Sequence, residues 1–155
     1  MVNNLVAYFS CTGTSKNAAI KLANVVDGDL FEILPETPYS SDDLDYRNPE
    51  SRNVKERDGK EIPKVSTKVN DMDQYDTVYL VFPIWWYVAP KIINSFLEEY
   101  DLSGKRIVVS YTSGGSSLGN TIPELEPSAP GAEFIPGVRF SSSDSEEDIK
   151  SKLNL

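Results

Sequence analysis

Three uninterrupted apolar runs organise the chain: Leu5–Phe9 (LVAYF), Val78–Phe82 (VYLVF) and Ile107–Tyr111 (IVVSY). A strand with one wet face alternates apolar and polar residues, whereas continuous runs of this kind belong to strands covered on both faces of a parallel sheet. Two weaker runs, Asp29–Leu34 (DLFEIL) and Glu133–Pro136 (EFIP), are further strand candidates. Helical spacing fills the gaps between them. Ala19, Ile20, Ala23 and Val26 fall on one face of a helix expected to start near Ser15. Ile93, Phe96, Leu97 and Tyr100 do the same in APKIINSFLEEY, with Pro90 at an early position that tolerates it. The tail SDSEEDIKSKLNL opens with Ser143 or Ser145 followed by acids, a capping signature that predicts a short final helix. Strand, helix and strand in repetition predict an α/β fold, an open parallel sheet with helices on both faces.

The interval 37–76 breaks this rhythm. It is polar, carries Pro38, Pro49 and Pro63, and shows only a modest helical stretch around Asn48–Arg57. A segment this long without clear periodicity is either a functional lid or a decoration packed on the rim. No repeat, low-complexity tract or interior linker divides the chain, and 155 residues suit one domain with one full core.

Charge and composition narrow the function. Lys and Arg total 15 against 24 Asp and Glu, a net charge of -9. That balance argues against nucleic acid or an anionic membrane as partner, since phosphate binding needs a basic face. It suits basic protein partners, although an acidic surface also serves solubility alone. Cys11 is the single cysteine, so an intramolecular disulfide and a cysteine metal cluster are out. With no histidine anywhere, Ser-His-Asp and Cys-His machinery, histidine acid–base catalysis and histidine metal sites are all excluded. The start MVNNLVAYFS lacks the basic region and apolar core of a signal peptide, and the apolar runs are too short to span a bilayer. The expectation is a soluble cytoplasmic protein.

The candidate chemistry lies between the first strand and the first helix. Ser10, Cys11, Thr12, Gly13, Thr14 and Ser15 stand in a row there. Such a loop faces a helix amino end, where unpaired N–H groups and the positive end of the macrodipole attract an anion. Four hydroxyls and Lys16 at the edge fit a single terminal phosphate, and Gly13 permits a turn that an L-residue resists. The plainer reading is an ordinary N-cap, for which Ser and Thr are favoured without any ligand. Other motifs fail. G-x-x-x-x-G-K-[ST] is absent; position 17 is Asn17, so the arginine of a phosphatase loop built on Cys11 is missing. Gly115-Ser116-Ser117-Leu118-Gly119 matches G-x-S-x-G literally, but without histidine a serine hydrolase cannot be sustained.

YFSCTGTSKNAA resembles the FMN phosphate loop of flavodoxins, [ST]-x-T-G-x-[ST] directly after the first strand. The resemblance assigns hydroxyls of Ser10, Thr12 and Ser15 and backbone amides of Gly13 and Thr14 to the phosphate, with Cys11 within the loop. VFPIWWYVAPKIINSFLEEY resembles the loop after the third strand, where Pro83, Ile84, Trp85, Trp86 and Tyr87 would line the flavin ring. SYTSGGSSLGN resembles the loop after the fourth strand, implying that Thr112, Ser113, Gly114, Gly115 and Gly119 approach the pyrimidine edge. The stretch PYSSDDLDYRNPESRNVKE resembles an insertion found in a subset of the family. The fold so implied is a flavodoxin-like doubly wound five-stranded sheet of order 2-1-3-4-5, with FMN at the switch point. One departure stands out: family members often carry Gly in the loop after the third strand, where this chain has Tyr87, so FMN binding is implied more firmly than one-electron chemistry. Three functions follow from the resemblance. The first is an FMN electron carrier between redox partner proteins. The second is a small FMN-dependent NAD(P)H:quinone-type oxidoreductase, with Tyr39, Tyr46 and Arg47 as candidate walls for nicotinamide. The third is a cofactor-free interaction module of the same fold.

Overall fold

The computed structural model describes residues 3–10, 13–37, 39–40, 48, 50–57, 63–69, 71–84, 89–112, 119, 121–141 and 143–153. Five strands form one sheet: β1 (Asn4–Tyr8), β2 (Asp29–Glu32), β3 (Thr77–Pro83), β4 (Arg106–Thr112) and β5 (Glu133–Phe140). Their order is β2-β1-β3-β4-β5, and every neighbouring pair is parallel. The helices are α1 (Thr14–Val26), α2 (Arg52–Arg57), α3 (Lys91–Glu98), α4 (Thr121–Leu125) and α5 (Glu146–Lys152), with 3-10 turns at Met72–Gln74 and Glu126–Ser128. The expected α/β sheet and its 2-1-3-4-5 order are therefore both present.

The continuous apolar runs have the cause inferred for them. One core holds Leu5, Ala7, Val78, Leu80, Phe82, Ile107 and Val109 from the strands, against Ile92, Ile93, Phe96 and Leu97 of α3. The opposite core holds Val6, Tyr8 and Val81 against Ala18, Ala19, Leu22 and Ala23 of α1, together with Ile149 of α5. Successive residues of β1 and β3 thus enter different cores, which is why Leu5–Phe9 and Val78–Phe82 read as unbroken apolar runs.

Three local readings change. The buried stripe of α1 is Ser15, Ala18, Ala19, Leu22 and Ala23, while Ile20 is 39% exposed. The small Ala18 completes an i, i+3, i+4 pattern that Ile20, for all its bulk, stands outside. Strand β5 runs on to Phe140, past Pro136 and Gly137, because it is an edge strand where proline is tolerated. A register shift between Val109 and Tyr111 accommodates it, and a Cβ at Gly137 would lie 2.5 Å from both the Val109 carbonyl oxygen and Ser110 Oγ. Finally, α3 ends at Glu98, short of Tyr100, which still packs edge-on against Phe96 at 5.2 Å. The last helix starts as its sequence implies: Ser145 caps α5 through the Asp148 amide, and Asp148 returns a bond from the Ser145 amide.

The described part of the interval 37–76 is packed on the sheet edge beside β2. Pro35 and Val65 form an antiparallel bridge, and the Thr67 hydroxyl donates to the Glu32 carbonyl. Further along, α2 is held by Glu56, which is 2% exposed and takes hydrogen bonds from the Tyr39 hydroxyl and from Arg52 Nε. The Arg52 guanidinium lies 3.9 Å over the Tyr39 ring, and that ring meets Phe9 edge-on at 5.6 Å.

Candidate functional site

Strand order decides where three loops meet. From β1 the chain crosses to β2 on one side, while β3 lies on the other, so a crevice opens at the carboxyl ends between the diverging connections. The ladder continues past the strands and ties the loop roots together. The Phe9 amide donates to the Val81 carbonyl at 3.0 Å, and the Ile84 amide donates to the Thr112 carbonyl at 3.1 Å. Pro83 lies in register with Thr112.

The first loop ends in a left-handed glycine. Gly13 has φ 94° and ψ -13°, and its N–H donates to Ser10 Oγ at 2.9 Å. Chain neighbours aside, no described atom lies within 4 Å of a Cβ built there, and the backbone angle is what calls for glycine. Gly13 occupies the N-cap of α1, which receives no side-chain cap and has no acid in its first turn. The first helical bond runs from Asn17 N–H to the Gly13 carbonyl at 3.0 Å. The N–H groups of Thr14, Ser15 and Lys16 therefore find no acceptor among the described residues. Helices normally satisfy such donors with a cap. Here 13 residues of aligned dipole end on three amides without an acceptor among the described residues.

Ser15 and Thr112 meet across the crevice. Ser15 Oγ and Thr112 Oγ1 are 2.8 Å apart, in a pair where Ser15 is 2% and Thr112 5% exposed. Nothing in their sequence positions announces this contact, since the two residues are 97 apart. Thr14 and Ser10 are half-buried, and Lys16 is exposed at the rim. Gly119, in the loop after β4, adopts φ 58°. Of the remaining residues assigned to the site by resemblance, Cys11, Thr12, Trp85, Trp86, Tyr87, Ser113, Gly114 and Gly115 lie outside the described residues, as do Tyr46 and Arg47. Tyr39 is described, and its hydroxyl is committed to Glu56. It anchors the insertion to Phe9, at the root of the first loop. Sequence reasoning missed the partners Arg52 and Glu56, whose i, i+4 spacing in the helical stretch was the available signal.

Among the described residues the arrangement gathers unpartnered amides and a buried hydroxyl pair at one edge, donor chemistry that suits an anion. Among the described residues no cluster of His, Cys, Asp and Glu could hold a metal ion, and no helix is long and apolar enough to cross a membrane. At the opposite, amino edge of the sheet lies a polar cavity of about 210 Å³ lined by Asn3, Asn4, Asp27, Asp29, Gln74 and Tyr75. Tyr75 donates to Asp29 there at 2.6 Å. Burial, then that bond and the Asp29 charge, push its phenol up to about 12. Two carboxylates make this cavity unsuited to a phosphate.

A flavodoxin family model matches residues 3–155. The chain belongs to the flavodoxin family. Among solved structures, a candidate flavoprotein from Bacteroides eggerthii DSM 20697 is 41% identical, over 99% of this chain and 97% of that one, with a TM-score of 0.91. One from Bacteroides uniformis ATCC 8492 is 39% identical over 99% of each chain, also at 0.91. A flavoprotein of Lactobacillus acidophilus NCFM in complex with FMN shares the fold at 19% identity, over 99% of this chain and 97% of that one, with a TM-score of 0.75. A comparison with curated proteins finds no match. In this flavodoxin-family chain, then, the open amides of α1, the Gly13 turn and the Ser15–Thr112 pair occupy the carboxyl edge of the sheet.

Proposed function

We propose that this flavodoxin-family protein binds FMN at the carboxyl edge of its sheet and carries electrons between redox partners. The observation that carries the reading is the amino end of α1, where no side chain caps the helix and three amides beside a left-handed Gly13 find no acceptor among the described residues. A dianionic phosphate is the ligand that such a set completes, and the lack of acids in the first turn leaves it unopposed. The residues present therefore fit FMN. Ser10, Thr12, Gly13, Thr14 and Ser15 would hold the phosphate, with Cys11 in the turn. Pro83, Ile84, Trp85, Trp86 and Tyr87 would flank the ring, where an indole supplies a flat stacking face. Ser113, Gly114, Gly115 and Gly119 would bring backbone donors close to the pyrimidine edge.

Bound FMN supplies the electron-accepting chemistry, while the protein sets orientation, access and potential. The absence of histidine removes histidine-based proton transfer, and with the acidic surface it favours a carrier. The net charge of -9 would steer a basic partner toward the protein. The FMN held by the Lactobacillus acidophilus protein of the same fold supports the ligand assignment.

The test is a visible spectrum of the purified protein after excess FMN and desalting, followed by stopped-flow reduction. Retained flavin bands with slow NAD(P)H oxidation are expected. A colourless protein would remove the function, and fast steady NAD(P)H oxidation with a quinone would make it an oxidoreductase instead.

A further inference from the structure

Thr112 stands at the junction of all three loops. Its carbonyl receives the Ile84 amide at the start of the loop after β3. Its hydroxyl meets Ser15 Oγ in the first turn of α1. Its own strand ends there and opens the third loop. By resemblance alone it belongs with the ring-contacting residues, yet its side chain is 5% exposed and committed to the helix. Among the described residues the pair also has a proton to spare. Two hydroxyls carry two O–H donors and use one between them, and among the described residues neither has a second acceptor. A buried donor in this state calls for a partner, and the open amides of Thr14, Ser15 and Lys16 lie in the same helical turn.

We propose that Thr112 is a positioning residue for the phosphate of the flavin rather than a contact of its ring. By holding Ser15 it fixes the first turn of α1 against β4, and it leaves one hydroxyl proton for a phosphate oxygen. The proposal rests on the FMN reading above and adds to it a division of labour: Thr112, though it opens the third loop, serves the first.

The test compares FMN with riboflavin, which has the same ring and no phosphate. Dissociation constants are measured by flavin fluorescence for the wild type, Thr112→Val, Thr112→Ser, Ser15→Ala and the Thr112→Val, Ser15→Ala double variant. The melting temperature of each apoprotein is followed with and without inorganic phosphate. Losing a hydrogen bond that supports a charged ligand weakens binding by about tenfold or more. Thr112→Val is expected to show that loss for FMN while riboflavin affinity holds within about twofold, and to lose the stabilisation by phosphate. Thr112→Ser restores both, and the double variant loses no more than either single one, as a unit would. An equal fall for FMN and riboflavin overturns the proposal, because it means a ring contact or general damage. Unchanged FMN affinity in Thr112→Val overturns it too. If Thr112→Val does not fold, Thr112→Ala, which removes the same hydroxyl and only shortens the side chain, carries the same comparison. A wild-type protein that binds neither flavin refutes the FMN reading itself, an outcome distinct from a wild type that binds FMN with an unselective Thr112→Val.

Discussion

Gly13→Ala tests whether the first loop is shaped for a ligand or merely turns a corner. The native φ of 94° lies where an L-residue is unfavourable by about 1–2 kcal/mol. Because, chain neighbours aside, no described atom stands within 4 Å of the added Cβ, the effect comes from the local backbone and not from a tertiary clash among the described residues. Two responses are open to the variant. If the loop keeps its shape, the apoprotein loses that 1–2 kcal/mol, about 3–8 °C in a domain of this size. If the loop relaxes, the apoprotein keeps its stability but gives up the Gly13–Ser10 bond, and the amides of α1 turn away from the phosphate. FMN affinity then falls by about fivefold to thirtyfold. In either case the FMN-bound protein loses about the same total, since the bound state needs the native turn. Urea unfolding with and without FMN separates the two. Gly104→Ala is the control: it shares a positive φ of 80° and open space at Cβ, but sits in the turn before β4. It should cost similar stability and leave the FMN dissociation constant alone. A Gly13→Ala protein with wild-type apo stability and wild-type FMN affinity refutes the reasoning, as does a Gly104→Ala protein that loses FMN equally.

Other consequences are as direct. Gly137→Ala drives a methyl to 2.5 Å from the Val109 carbonyl oxygen, which is backbone and cannot step aside, so β5 should detach or shift at a loss of about 1–3 kcal/mol or more in urea unfolding. Glu56→Ala leaves the Arg52 charge and the Tyr39 hydroxyl without their buried partner, a loss of about 3–5 kcal/mol, read as faster proteolytic cutting within 37–57. Asp144 supplies a pH dependence. Burial would raise its carboxyl, but hydrogen bonds and charge from Lys152 and the Ser141 amide outweigh this and hold it below the usual 3.8. Its contribution is present above the unfolded pKa and is lost as pH falls through the lower folded value. Docking of α5 should therefore weaken below about pH 4, and Asp144→Asn should flatten that part of the stability profile; an unchanged acid limb would refute the assignment.

Sheet and site were legible in the sequence to different depths, for physical reasons. The strands were readable because burial on two faces leaves an unbroken apolar run, visible in one dimension. The α1 stripe was misread because Ile20 carries more apolar area than Ala18, although position on the helix, and not bulk, decides what faces the sheet. Edge strand β5 was cut short at Pro136 because proline lacks the ladder donor, and only the three-dimensional edge makes that harmless. Helix α4, five residues with Pro123 inside, has too little periodicity to register. The first loop is recognisable from its hydroxyls, but the sequence sends those of Ser10, Thr12 and Ser15 alike to the phosphate and shows none of their contacts with the protein. The structure sorts them: Ser10 accepts from Gly13, and Ser15 pairs with Thr112.

That sorting bears on why the site sits at this edge. A parallel sheet delivers three loop roots to one line, but loops held only at their roots would each choose their own conformation. Here the Phe9–Val81 and Ile84–Thr112 backbone bonds extend the ladder one step, and the Ser15–Thr112 pair crosses from sheet to helix. Phe9 is gripped from the far side by Tyr39, which Glu56 and Arg52 fix in turn. The insertion thus bears on the same short segment that ends in the open amides of α1. A ligand that closes those amides would find the roots of the three loops already tied, so its binding energy need not be spent on bringing those roots together. The polar insertion, which on sequence alone could be a lid or a decoration, reaches through Tyr39 to Phe9, the residue at the root of the first loop.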